Sequence, residues 1–306
     1  MVKLDRVMLG LCGVAVFWGF SYVISGYLLQ SFSPVFLSFC RMIITSLFTL
    51  TLLFGKGGLR WPTRREWLLL FVSSLFNLFI QQPLYYLGLQ LSSVANASLI
   101  YAAAPLVAVV LERLFLGVRM TGEKIIGGVL GIAGVVVIIG LHDASSFQVS
   151  LGDLLLLLAM LGMTIGMLFT PVLARTLPNR AMNLYASPIG IMLMAPLAAG
   201  EAVLGRNEMT FNGVTLGLLL LLGAITMYSG LLWTRGVAST GPGTAAMFMN
   251  IPPIISLVAG HYILGEPIRG VQLAGGVLVL VGVYVSSRSM LRRQPIEQGA
   301  AFVEEN

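Results

Sequence analysis

Apolar runs of about twenty residues recur along this chain, separated by short polar breaks. They fall at approximately 7–30, 34–54, 66–89, 93–116, 122–140, 152–174, 181–204, 213–237, 242–264 and 269–287, each long enough to cross about 30 Å of hydrocarbon as a helix. The pattern predicts an all-α integral membrane protein with ten transmembrane helices. Stretches such as 154–159 are continuously apolar, whereas a membrane β-strand would alternate apolar and polar positions. The first run follows Lys3 and Arg6 as a signal peptide would, but it is too long and no small-residue cleavage site follows it. It is expected to remain as helix one.

The pattern also repeats. Sliding residues 86–137 by 148 positions, without a gap, matches fourteen of fifty-two residues. Six matches are glycine pairs, Gly88/Gly236, Gly117/Gly265, Gly122/Gly270, Gly127/Gly275, Gly128/Gly276 and Gly134/Gly282, and a seventh pair is Pro105/Pro253. Apolar composition alone would repeat Leu and Val, whereas glycine and proline report close helix approach or a broken helix. Two five-helix repeats are therefore expected, at residues 1–141 and 152–287, joined by an external connector at 142–151 and followed by a cytoplasmic tail at 288–306. Five is odd, so the second copy enters the membrane from the opposite side, and the repeats are inverted. Two copies of opposite orientation can exchange open and closed packings and expose a central site to each side in turn. Channels share this architecture, but a carrier is the preferred reading. Gly127, Gly131 and Gly134 give helix five a small-residue face, expected to pack on its repeat partner, helix ten, rather than on a second protomer.

Composition agrees with this solvent: 57% of residues are hydrophobic and 10% charged, against roughly 25% charged in a soluble domain. The net charge of +6 is placed unevenly. With the N-terminus inside, fifteen Lys and Arg fall on the cytoplasmic side and only Arg206 and Arg269 opposite, which predicts an inner (plasma) membrane protein with both termini cytoplasmic. The basic charge then reports topology and contact with anionic membrane lipids, and no nucleic-acid partner is expected. No Walker-type loop is present, so ATP is not a partner, and no cofactor or metal is expected. With only His142 and His261, and neither H-E-x-x-H nor G-x-S-x-G, an enzyme is not expected. Cys12 and Cys40 lie at opposite ends of helices one and two and read as core fillers.

A path through hydrocarbon must be lined by polar and aromatic groups that would be costly facing lipid. On helix three, Asn77, Gln81 and Tyr85 recur every four residues and share one face, either as a cavity wall or as amides bonding neighbouring helices. The 148-residue shift pairs Gln81 with Ser229 and Tyr85 with Trp233 on helix eight, with Tyr228 alongside. Trp233 reads as an interfacial belt residue. Pro105 and Pro252-Pro253 should break helices four and nine near mid-membrane, and Asn250 precedes the double proline as a candidate ligand. Asn96 and Tyr101 on helix four, and Trp18 on helix one, are further substrate-site candidates; Trp18 would form an aromatic wall or pack on Gly19 or Gly26. Met163, with Met160 and Met167, would supply an adaptable apolar surface or plain packing. Arg41 is the one charge well inside a span, at a cost of about 2.5–3.5 kcal/mol, and would either attract a carboxylate or bond carbonyls of an adjacent helix. Asp153, Glu201 and Glu266 sit near the outer ends of spans, Glu112 and Glu123 near the inner. With no carboxylate at midplane, coupling runs through His261, is indirect, or is absent, which leaves facilitated diffusion open.

The dispersed positions Trp18-Gly19, Pro34, Arg41, Pro253, Leu264-Gly265-Glu266-Pro267, Gln272, Gly275-Gly276 and Gly282-Val283 resemble the drug/metabolite transporter superfamily, in its EamA-type ten-helix branch. The likeness spans nearly the whole chain, and within the branch it is similar to YddG-type amino-acid exporters. The resemblance implies export of amino acids, aromatic and other partly apolar ones, by alternating access; the alternative is efflux of aromatic cationic drugs or other small metabolites. One departure stands out: the first repeat has Leu116-Gly117-Val118 where the second has Leu264-Gly265-Glu266. Glu266 is expected to cap or orient a helix end rather than touch a substrate.

Overall fold

A computed structural model describes residues 2–53, 60–116, 121–143, 146–147, 150–203, 211–240 and 248–286. In chain order the helices are α1 (Val2–Leu28), α2 (Pro34–Leu53), α3 (Arg64–Ser74), α4 (Gln81–Leu91), α5 (Val94–Ala102), α6 (Ala104–Leu116) and α7 (Gly122–Gly140). After them come α8 (Leu151–Met167), α9 (Thr170–Ala174), α10 (Asn179–Val203), α11 (Gly213–Thr240), α12 (Ile251–Leu264) and α13 (Gly270–Ser286). A short antiparallel hairpin, β1 (Leu141–Asp143) and β2 (Ser146–Phe147), lies between α7 and α8, a small exception to the expected all-helical chain. Among the described residues, eight helical stretches are long and apolar enough to cross a membrane, with α3–α4, α5–α6 and α8–α9 each forming one stretch. The two shorter apolar helices, α12 and α13, complete ten. Large apolar side chains such as Leu47, Val129, Ile132, Met192, Val203 and Leu216 are exposed around the bundle, as a surface facing lipid requires.

Helix ends follow local chemistry. The Thr63 hydroxyl accepts from the Glu66 N–H while Glu66 accepts from the Thr63 N–H, a capping box that starts α3. Ser93 caps α5 by accepting from the Asn96 N–H. Gly265 ends α12 with φ of 71°, a left-handed conformation that glycine adopts without a Cβ penalty.

The expected breaks at proline are present but sit at helix starts. α5 stops at Ala102 and α6 begins at Ala104, with Pro105 in its first turn; Pro252 and Pro253 occupy the first turn of α12, after a 3-10 turn at Phe248–Asn250. A missing N–H costs nothing in a first turn. A break the sequence did not announce lies in the third span, where a π-turn at Leu75–Ile80 joins α3 to α4 and the Gln81 N–H reaches back to the Phe76 carbonyl. Pro83 follows closely and cannot donate to an α-helical partner.

The repeat partners meet along duplicated glycines. A Cβ on Gly127 would lie 2.5 Å from the Gly282 carbonyl oxygen, and one on Gly134 would lie 2.6 Å from that of Gly275. Seen from the other helix, a Cβ on Gly275 would lie 2.8 Å from the Gly134 oxygen and one on Gly282 2.6 Å from the Gly127 oxygen. Gly127 corresponds to Gly275 and Gly134 to Gly282 under the repeat shift, so each position packs on the other's copy, as across an internal two-fold axis. The expectation that helix five would pack on helix ten within one chain holds.

Candidate functional site

Four tyrosines from three helices meet inside the bundle. The Tyr22 ring of α1 lies 6.0 Å from Tyr85 and 6.2 Å from Tyr101, centroid to centroid. Tyr85 lies 5.5 Å from Tyr101 and 4.9 Å from Tyr86. All four contacts are edge-to-face, the geometry that ring quadrupoles favour. Gln81 donates from Nε2 to the Tyr101 hydroxyl at 2.7 Å. Gln81, Tyr85, Tyr86 and Tyr101 are each less than a tenth exposed, and Tyr22 is half-buried.

Local structure explains who arrives there. Trp18 and Tyr22 are one helical turn apart on α1. Gln81 opens α4 directly after the π-turn, and Tyr85 follows one turn later. Tyr101 is next to last in α5, just before the break, and every residue of α5 is buried. At one edge of the cluster Arg41 of α2 places its guanidinium carbon 5.4 Å from the Tyr86 ring centroid and donates from Nη2 to Gln82 Oε1. At another, Trp18 packs its ring 5.1 Å from Trp233 of α11.

The structure sorts the residues expected from sequence. Gln81, Tyr85 and Tyr101 come together, and Trp18 lies against Trp233 rather than on Gly19 or Gly26, which admit Ile255 and Val94 instead. Trp233 thus has a ring partner in Trp18. Asn77 does not join Gln81 and Tyr85 as a third member of one cavity face. The helix-three stripe lies along α8, where a Cβ on Gly166 would collide with Asn77 and one on Gly162 would sit 3.7 Å from the Gln81 Cβ. Asn77 lines a separate cavity of about 230 Å³ with Ser73, Ser74, Thr170 and Asn183. Asn96 also lies apart, donating to Asp153 Oδ1 at 3.0 Å and accepting from Gln272 Nε2 at 2.8 Å. Met163 is half-buried and packs against the core. Tyr228 is half exposed and makes none of the cluster's ring contacts. Ser229 is fully buried, with no hydroxyl partner among the described residues. The side chain of Asn250 lies outside the described residues. Sequence reasoning missed Tyr22, although its position one turn beyond Trp18 was a signal.

Three acidic residues serve the helix starts on the face that carries the connector hairpin. Glu201 of α10 accepts from the Ser33 hydroxyl at 2.6 Å and the Phe36 N–H at 2.8 Å, at the N-terminus of α2. Glu266 accepts from the Val94 and Ala95 N–H groups at 2.9 and 3.4 Å, at the N-terminus of α5, as the capping expectation required. Burial pushes the Glu266 carboxyl above its ordinary value, against the pull of those two N–H groups. Asp153 bonds Ser92 and Asn96 beside the same helix start. His261 presents Nδ1 to the Glu266 carbonyl oxygen at 2.8 Å. Next to this network a cavity of about 170 Å³ is lined by Ser92, Ser93, Asn96, Arg269 and Gln272. On the opposite face Glu66 pairs with Arg60, which also donates to the Thr176 carbonyl at 3.0 Å and so ties the approach to α3 to the end of α9.

The arrangement offers flat rings, one buried amide and one cation, which suits binding of a small amphiphile. The model of the EamA-like transporter family matches the chain twice, at residues 6–140 and 150–288. The chain is 27% identical over 96% of its length to the "Probable terminal-alkyne amino-acid exporter" of Streptantibioticus cattleyicolor, covering 97% of that protein. It is 26% identical over 95% of its length to the "S-adenosylmethionine/S-adenosylhomocysteine transporter" of Chlamydia muridarum, covering 93% of it. One crystal structure of a protein aligns with a TM-score of 0.66 at 17% identity, over 95% of this chain and 99% of that one, a likeness of fold.

Proposed function

Because the chain belongs to the EamA-like transporter family, we propose that it exports small, partly apolar amino acids across the plasma membrane, with both termini in the cytoplasm. The observation that carries this reading is the buried tyrosine cluster with Gln81 and Arg41 at its edges. Rings accept an apolar side chain, while an amide and a cation suit a zwitterionic head. Two relatives support it, since all three cargoes in their names, a terminal-alkyne amino acid, S-adenosylmethionine and S-adenosylhomocysteine, carry an amino-acid head. Efflux of aromatic cations is the weaker reading, because Arg41 adds a like charge beside the rings.

Alternating access follows from the inverted repeats rocking about the α7–α13 seam. Facilitated diffusion is the proposed energetics: Asp153, Glu201 and Glu266 all serve helix starts at one face rather than a midplane relay. The test is efflux from liposomes that contain the purified protein and a labelled amino-acid mixture, with and without an imposed pH gradient. Selective, saturable loss of a few apolar or aromatic amino acids, insensitive to the gradient, is expected. Movement of aromatic cations with no amino acid moving would overturn the proposal.

A further inference from the structure

Arg41 carries a charge that no described residue neutralises. It lies within the second membrane span, and among the described residues it has no ion-pair partner. Its neighbours are neutral: the Gln82 amide oxygen and the face of Tyr86. A guanidinium has five N–H donors, and the Gln82 carbonyl takes one of them. Tyr86 is fully buried, and its hydroxyl has no hydrogen-bond partner among the described residues. Ser38, one turn before Arg41 on α2 and also fully buried, has an equally unpartnered hydroxyl. Buried hydroxyls normally find partners, because leaving one unsatisfied costs about 1–3 kcal/mol. The cation of α2, the Tyr86 ring of α4 on which it lies, and the two unpartnered hydroxyls of Ser38 and Tyr86 leave polar capacity unmatched where α2 meets α4.

We propose that Arg41, with the Tyr86 hydroxyl, is the carboxylate subsite of the tyrosine cluster, so that the cargo must bear a carboxylate. Arg41 donates to the carboxylate oxygens, Tyr86 adds a neutral donor, Gln82 holds the guanidinium in place, and the rest of the molecule lies toward Tyr85 and Tyr101. The inference rests on the transport reading above and names the charge its cargo carries. A cation lacking a carboxylate meets a like charge and gains none of these bonds.

The experiment compares matched acid and amide pairs, L-phenylalanine with L-phenylalaninamide and L-leucine with L-leucinamide. Thermal stabilisation of the purified full chain in detergent reports binding, and counterflow in liposomes reports transport. In the wild type the acid is expected to be favoured over its amide at least about tenfold, the worth of one charge-assisted hydrogen bond. Arg41→Gln should abolish that preference, Arg41→Lys should keep part of it, and Tyr86→Phe should reduce it severalfold. If Arg41→Gln fails to fold, the Lys and Phe variants carry the test, since one keeps the charge and the other removes a single hydroxyl. Equal use of acid and amide by the wild type overturns the subsite, as does an undiminished acid preference in Arg41→Gln or, if that variant fails to fold, an undiminished preference in both Arg41→Lys and Tyr86→Phe. Preferential acid binding without counterflow keeps the subsite and overturns the transport reading. Neither binding nor flux with any probe overturns both.

Discussion

The seam between α7 and α13 and the cluster around Tyr85 use the duplicated sequence in opposite ways. At the seam both repeats contribute equally, Gly127 and Gly134 from one and Gly275 and Gly282 from the other, each packed on the partner's non-equivalent copy. Among the described residues the cluster's groups come from the first repeat, Tyr22, Arg41, Gln81, Tyr85, Tyr86 and Tyr101, and the second repeat enters with Trp233, which packs on Trp18 one turn from Tyr22. Duplication preserves the shape on which the halves pack, while the chemistry inside that shape has diverged. Symmetry is thus a guide to the scaffold and a poor guide to the site.

The sharpest way to break the comparison is at the seam. Gly134→Leu drives a side chain into the α13 backbone, where even the first carbon would lie 2.6 Å from the Gly275 oxygen, and should cost about 3 kcal/mol or more. Loss of the purified protein, or a large fall in its thermal midpoint in detergent, is the expected outcome; the same change at Gly128, where a Cβ meets nothing within 4 Å, should be tolerated. A smaller effect is expected on the connector face. Asn96→Ala removes bonds to Asp153 and Gln272, each worth about 0.6 kcal/mol in membrane proteins, so the midpoint should fall by a few degrees. The smallest concerns Glu266, whose carboxyl is raised by burial. A raised folded-state value means that the folded chain holds the proton more tightly than the unfolded one, so stability is greatest at low pH and declines as pH rises through that raised value. Scans from pH 4 to 7 should show this decline in the wild type and lose it in Glu266→Gln.

What the sequence revealed follows the same division. Helical spans and the glycine repeat were legible because lipid and close backbone approach impose a period or a residue type that nothing else satisfies. The site was legible in part. Gln81, Tyr85 and Tyr101 stood out as polar or aromatic groups in apolar runs, but their partners depend on tertiary packing. Asn77 shares their four-residue spacing, yet Gly166 of α8 lies against it. The π-turn before Gln81 has no signature beyond the nearby Pro83. Asn96 lies apart from the cluster, where it joins α5 to α8 and α13 through Asp153 and Gln272 and lines a small cavity of its own. Ser229, paired with Gln81 by the repeat, is buried with no hydroxyl partner among the described residues, a placement its sequence neighbours do not reveal.

The most direct test of the central claim, that scaffold and site are separate, is counterflow of labelled L-phenylalanine in liposomes by Gln81→Ala and Tyr85→Ala, normalised to the amount of folded protein. Neither change touches the glycine seam, and the Gln81–Tyr101 bond is worth only about 0.6 kcal/mol to folding. The account predicts normal insertion, a midpoint within a few degrees of wild type for Gln81→Ala and a larger fall for Tyr85→Ala, whose ring packs on Tyr22, Tyr86 and Tyr101, with flux per folded protein reduced at least about tenfold in both. Wild-type flux in both variants would contradict it and remove the tyrosine cluster from the transport path.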